Sequence, residues 1–137
     1  SALSDAKAHI TIFNRTAARA QQLADEFGAH VGAWPAEPAP DTRLIINCTS
    51  VGMWPHVDDT PLLADRIPAG ATVMDTIYRP HVTRLLREAV ARGCRTIDGL
   101  EMFVQQAAAQ YGLWHGRPAP ILTLRQAIAG AERVDSR

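Results

Sequence analysis

The sequence predicts an α/β fold, a parallel sheet with helices on its faces. Short β-rich runs alternate with runs of helical periodicity, the order that parallel strands and helical crossovers produce. Leu44-Ile45-Ile46 is apolar at every position, as in a strand covered on both faces. Glycines stand where the helical runs stop, and prolines gather between runs.

Taken in order, Ile10, Ile12 and Phe13 mark a first strand. Residues 17–27 form a helix, with Ala20, Leu23, Ala24 and Phe27 at helical spacing and Gly28 as the stop. Residues 30–34 read as a short strand, and 35–41, with three prolines, as a loop. The strand at 44–46 leads to a loop over 49–59. Thr60-Pro61 opens a short helix through Asp65. Residues 71–74 form another strand. A helix over 82–92 follows, with Leu85, Leu86, Ala89 and Val90 on one side and Gly93 at its end. Residues 94–97 make the last strand, and helices cover 101–115 and 122–133. Pro118-Ala119-Pro120 is a hinge between those helices, so residues 1–137 form one unit that includes carboxyl-terminal helices over 101–133.

With 137 residues and 47% hydrophobic content, the chain can bury a core. Its 14 basic and 14 acidic residues balance, which argues against nucleic-acid or membrane-surface partners. No apolar run is long enough to span a bilayer and no charged-then-apolar leader opens the chain, so a cytoplasmic location is expected. Cys48 and Cys94 fit no metal or redox spacing and read as reduced, buried thiols, with a single disulfide as the lesser alternative. The five histidines show no ligand spacing, and no metal is expected.

The chemistry concentrates first in His9-Ile10-Thr11-Ile12-Phe13-Asn14-Arg15-Thr16-Ala17-Ala18-Arg19-Ala20. A strand ends at Asn14, and Thr16 or Asn14 can cap the next helix. Arg15 and Arg19 then flank a helix start that already carries partial positive charge, an unfavourable placement unless an anion arrives. A phosphate satisfies it through forked, charge-assisted hydrogen bonds. At this position of a dinucleotide-binding sheet, an acid selects the free ribose of NAD and an arginine accommodates the 2′-phosphate of NADP.

Four further segments carry a resemblance: Asn47-Cys48-Thr49-Ser50-Val51-Gly52-Met53; Asp75-Thr76-Ile77-Tyr78-Arg79-Pro80 with Thr83, Leu85 and Leu86; Gly99-Leu100-Glu101-Met102-Phe103-Val104-Gln105-Gln106-Ala107; and Trp114-His115-Gly116. Together with the Asn-Arg-Thr turn, they make the sequence resemble the shikimate dehydrogenase family along nearly its whole length. The resemblance implies a Rossmann-like parallel sheet and an NADP-dependent oxidoreductase interconverting shikimate and 3-dehydroshikimate. It implies that Asn14, Arg15, Thr16 and Arg19 hold the adenosine phosphate end and that Thr49 and Ser50 line the cofactor groove. It places Thr76, Ile77, Gly99 and Met102 around the nicotinamide, Tyr78 at the substrate carboxylate and Gln106 at the substrate hydroxyls. Read alone, Tyr78 is an ordinary half-buried tyrosine, Met102 and Phe103 are core, and both glutamines are surface. Asp75 is given no catalytic part.

Two features of the family have no counterpart here: the first strand with its glycine-rich loop, and the amino-terminal substrate domain that carries the proton-transfer residues. Lys7 stands where the family commonly has glycine. The expectation is therefore an incomplete sheet and no catalytic residue within this chain. It is also that the chain is marginal in isolation, or covers its open edges by direct strand pairing or self-association. The alternatives are a non-catalytic NADP-binding or regulatory module, a quinate-using relative, and a reductase of the glutamyl-tRNA type, the last opposed by the Tyr-x-Pro and Gln-Ala segments.

Overall fold

The computed structural model describes the backbone of residues 2–135 and the side chains of residues 3–128. The elements are α1 (Ala2–Asp5), β1 (Thr11–Ile12), α2 (Ala17–Phe27), β2 (His30–Val31), β3 (Leu44–Asn47), a 3-10 turn (Ala64–Arg66), β4 (Thr72–Asp75), α3 (Arg84–Ala91), β5 (Arg95–Ile97), α4 (Gly99–His115) and α5 (Ile121–Asp135). Every strand pair is parallel. β1 pairs with β2, and separately β3, β4 and β5 form a sheet in that order. Among the described residues β1 and β3 are not hydrogen-bonded, so the direct pairing of edges that the sequence allowed does not form.

The core lies on one face of the larger sheet. Ile67, Val73, Leu85, Leu86 and Ala89 are its centre, with Leu62 and Ala36 beside them. Ile45 stands opposite Val73 in register and packs on the same cluster. Phe13, just past β1, reaches this cluster too and so ties the two sheets together. Gly32 makes room for it, since a Cβ there would fall 2.1 Å from the Phe13 ring.

The other face of β3 is open. Leu44 and Ile46 are 39% and 36% exposed, so β3 is not buried on both faces as its composition predicts. The reason is position: β3 is an outer strand, and α3, the helix packed on this sheet, lies with the core on the side of Ile45 and Val73. Val90 is likewise 59% exposed, off the stripe made by Leu85, Leu86 and Ala89. The helix expected at 60–65 is reduced to the 3-10 turn. Thr60 donates its hydroxyl to the Leu62 carbonyl at 2.8 Å, a local bond that competes with helix formation. Both cysteines are free. Cys94 is half-buried and Cys48 is exposed, which corrects the expectation that both are buried. On α5, Leu124 and Ile128 are half-buried and Ala127 is exposed, while the Ala131 side chain lies outside the described residues. Among the described residues no helix is long and apolar enough to cross a membrane.

Lys7 ends α1 in a left-handed conformation, φ 56°. Its N–H donates to the Ser4 carbonyl at 2.9 Å and the Ala8 N–H to the Leu3 carbonyl at 3.0 Å, the double closure that glycine usually makes. A side chain there costs conformational energy that glycine avoids. Lys7→Gly is expected to stabilise the chain by about 0.5–1 kcal/mol, the left-handed penalty less the extra unfolded entropy of glycine. Urea unfolding checks this, and a lowered midpoint would contradict the reading of the turn.

Candidate active-site edge

Strands β3, β4 and β5 run parallel, so their carboxyl ends face one edge of their sheet, where sheets of this kind bind ligands, and β1 and β2 run parallel to each other in theirs. The register sets Asn47 opposite Asp75 at that edge. Asp75 is fully buried and receives three donors. Its Oδ1 accepts from Asn47 Nδ2 at 3.1 Å and from the Ile77 N–H at 3.1 Å, and its Oδ2 accepts from the Thr83 hydroxyl at 2.7 Å. Thr83 caps α3 by accepting from the Leu86 N–H at 3.4 Å. Asn47 extends the chain of bonds outward. Its Nδ2 also donates to the Val51 carbonyl at 3.4 Å, and its Oδ1 accepts from the Thr49 N–H at 3.0 Å and the Thr49 hydroxyl at 2.7 Å.

The first turn is shaped by Asn14, whose Oδ1 accepts from the Thr16 N–H at 2.8 Å. Thr16 stands at the N-cap of α2 without a side-chain capping bond, so of the two candidate caps Asn14 forms the local turn. Arg15 and Arg19 are exposed, and among the described residues neither meets a carboxylate.

At the next strand ends, the hydroxyls of Thr49 and Thr76 are already engaged. Thr49 Oγ accepts from the Val51 N–H at 3.2 Å besides donating to Asn47. Thr76 donates both its N–H and its hydroxyl to the Asn47 carbonyl, at 3.1 and 3.0 Å. These threonines shape the wall, whereas Ser50 is exposed at its rim. Ile77 is buried, and Gly99 crosses it closely. A Cβ on Gly99 would lie 2.4 Å from the Ile77 carbonyl oxygen and 2.5 Å from that of Thr76. Thr76, Ile77 and Gly99 thus meet at one corner, with Met102 half-buried along the same helix. Tyr78 stacks on Phe103, ring centroids 5.9 Å apart and planes at 26°. Gln106 is exposed, as is Gln105, which donates to Glu101 at 2.8 Å. Among the described residues no hydrogen bond or ring contact joins this corner to the Asn14–Arg19 turn.

Sequence reasoning gave no role to Asn47 or Thr83 and no catalytic part to Asp75, and it read Phe103 as core, whereas Phe103 is 46% exposed. The first three carried a signal in the spacing of Asp75 before Thr83, an acid ahead of a helix cap. It also started α4 at Glu101, whereas Asp98 caps it by accepting from the Glu101 N–H at 2.8 Å, the spacing of a capping box. A hollow of about 340 Å³ between Glu37, Arg66, Ile67 and Arg92 lies at the opposite, amino ends of β3–β5. Its Arg66 is neutralised by Glu37 at 3.0 Å.

The residues at the edge fit a dinucleotide. The donor set at the first turn is cationic and, among the described residues, meets no carboxylate, and Gly99 lets the start of α4 pack directly on the Thr76 and Ile77 carbonyls.

Gly99→Ala places a methyl group onto two backbone carbonyls that cannot swing aside. It is expected to destabilise the chain by about 1–3 kcal/mol in urea unfolding. Cys48 is exposed as a residue, but partial desolvation of its thiol pushes it up, and the Asp75 carboxylate adds to the shift. A raised thiol binds its proton more tightly folded than unfolded, so stability falls as pH climbs through the alkaline range toward the folded value. Alkylation of Cys48 by iodoacetamide should therefore have its pH midpoint above that of a free thiol, and a midpoint below it would overturn the assignment.

Comparison with known proteins agrees with this geometry. The family model described as the shikimate 5'-dehydrogenase C-terminal domain matches residues 99–129. The shikimate dehydrogenase (NADP(+)) of Moorella thermoacetica is 39% identical over 93% of this chain and 46% of its own length. That of Exiguobacterium sibiricum is 43% identical over 88% of this chain and 46% of its own length. The chain therefore spans about half the length of the relatives it matches. Among solved structures, the Thermus thermophilus shikimate 5-dehydrogenase in complex with NADP(H) and shikimate superposes with a TM-score of 0.86 and 35% identity, over 95% of this chain and 49% of that one. The 5-ketofructose reductase of a Gluconobacter species also gives 0.86, at 31% identity, over 95% of this chain and 50% of that one. In sequence and in fold, the chain matches the carboxyl-terminal domain of the shikimate dehydrogenase family.

Proposed function

We propose that this chain is the cofactor-binding half of an NADP-dependent shikimate dehydrogenase. The observation that carries the reading is the unneutralised Arg15 and Arg19 pair at the carboxyl end of β1, beside the start of α2. NADP, when bound, supplies the hydride acceptor or donor. Arg15 and Arg19 grip the 2′-phosphate, and Asn14 and Thr16 hold their turn in shape. Thr49 and Ser50 form the groove wall, the first through its fixed backbone. Thr76, Ile77, Gly99 and Met102 exclude water from the reacting end. Tyr78 and Gln106 hold the carboxylate and hydroxyls of shikimate or 3-dehydroshikimate. Proton transfer falls to the substrate domain of the full-length relatives, so the chain alone does not turn over. The Gluconobacter neighbour is a reductase for another ketone, which supports placing substrate choice in this polar wall rather than in the fold.

Adenosine 2′-monophosphate is expected to shift the backbone resonances of Arg15, Thr16 and Arg19 at lower concentration than adenosine 5′-monophosphate. Arg15→Ala with Arg19→Ala should weaken that binding about tenfold or more. Equal affinity for the two nucleotides would remove the phosphate clamp. The activity is tested in a chimera in which this chain replaces the matching segment of the Moorella thermoacetica enzyme. NADP-linked oxidation of shikimate supports the assignment, and a folded chimera that binds NADP without oxidising any cyclic hydroxy acid contradicts it.

A further inference from the structure

We infer that Phe103 is a positioning residue for Tyr78, an inference about substrate binding that rests on the reading above. Tyr78 lies in the loop after β4 and is 50% exposed, and among the described residues no hydrogen bond or ion pair holds its phenol. A tyrosine so placed samples several rotamers unless something limits the ring. Among the described residues its one ring contact is Phe103, itself 46% exposed, stacked at 5.9 Å and 26°. Both rings are held from beneath. Ile77, the residue before Tyr78, is buried, and Gly99, four residues before Phe103, sits against the Ile77 carbonyl. The stack is therefore anchored at its base and open at its top. Gly99, Met102, Phe103 and Gln106 recur at helical spacing, so Phe103 stands between the crossing point and the glutamine assigned to the substrate. Two half-exposed rings kept face to face in water serve orientation better than burial, because the stacked arrangement limits the direction in which the hydroxyl projects.

The two tyrosines of the chain, Tyr78 and Tyr111, make the test direct. In chain labelled with carbon-13 tyrosine, Phe103→Leu should move the Tyr78 ring resonances toward those of free tyrosine and leave Tyr111 in place, while Phe103→Tyr keeps them. In the chimera, Phe103→Leu should raise KM for the acid about three- to tenfold with a smaller change in kcat, and leave KM for NADP unaltered. Phe103→Tyr should restore it, and adding Phe103→Leu to Tyr78→Phe should raise KM no further. Unmoved Tyr78 resonances in Phe103→Leu, or effects of the two substitutions that multiply independently, overturn the inference. A chimera without activity bears on the proposed function alone, since the resonance measurement needs no turnover.

Discussion

A buried carboxylate organises the working edge of this domain. Asp75 sits in the interior at the end of β4, where an unpaired charge is costly, and three donors converge on its two oxygens. Those donors come from different places: the end of β3, the loop after β4, and the cap of α3. One side chain therefore fixes the relative position of three segments, of which the end of β3 lies 28 residues away in sequence and the other two within eight. An asparagine would not serve as well. Its amide nitrogen would face two donors on the Oδ1 side, and on the Oδ2 side it would turn Thr83 from donor to acceptor while the charge that strengthens all three bonds is lost.

The loops over this centre owe their shape to it. Asn47 passes the constraint to Thr49 and Val51, so the turn after β3 is tied at each step. That turn then lies close over the next. Gly52 adopts φ 97°, and a Cβ there would be 3.1 Å from the Asp59 carbonyl and 3.9 Å from both Ile77 Cδ1 and Thr83 Cβ. The Trp54 N–H donates to the Arg79 carbonyl at 3.4 Å, and Arg84 Nη1 donates to the Asp58 carbonyl at 2.9 Å. With its hydroxyls turned inward, this double layer offers a ligand mainly shape and backbone. Adaptable polar reach is left to side chains outside the network: Ser50, Tyr78, Gln106 and the two arginines.

Much of this architecture was legible because it rests on local rules. Residues 17–27 carried both a helical stripe and Gly28, and α2 runs from Ala17 to Phe27 with Gly28 left-handed at φ 64°. The strand at Leu44–Asn47 was legible too, but its burial was not. An all-apolar run reports the environment it evolved to occupy, whereas exposure depends on which neighbours stand beside it, and β3 has one neighbouring strand. Thr49 and Thr76 show the same limit in the site. The resemblance placed Thr49 in the cofactor groove and Thr76 at the nicotinamide, yet the Thr49 hydroxyl closes a local ring with Asn47 and the Thr76 hydroxyl bonds across the sheet to the Asn47 carbonyl. Asp75, given no catalytic part from the sequence, is a fastener of the loops around it; what the sequence could not show is that the register sets it opposite Asn47.

The two sheets add the last constraint. They share no strand-to-strand hydrogen bonds among the described residues, and Phe13 carries the contact between β1 and the main core. Within each sheet the strands run parallel, so each gathers its own strand ends on one edge. The Asn14 turn shapes a cationic station after β1, and the Asp75 network holds an apolar, glycine-floored corner at the ends of β3 and β4. On the proposed reading, the first station meets the anionic group of the ligand and the second its ring. Neither station needs to move for this, because each is braced by its own backbone hydrogen bonds. Discrimination between ligands then follows from charge at one station and from the aromatic and amide side chains at the other.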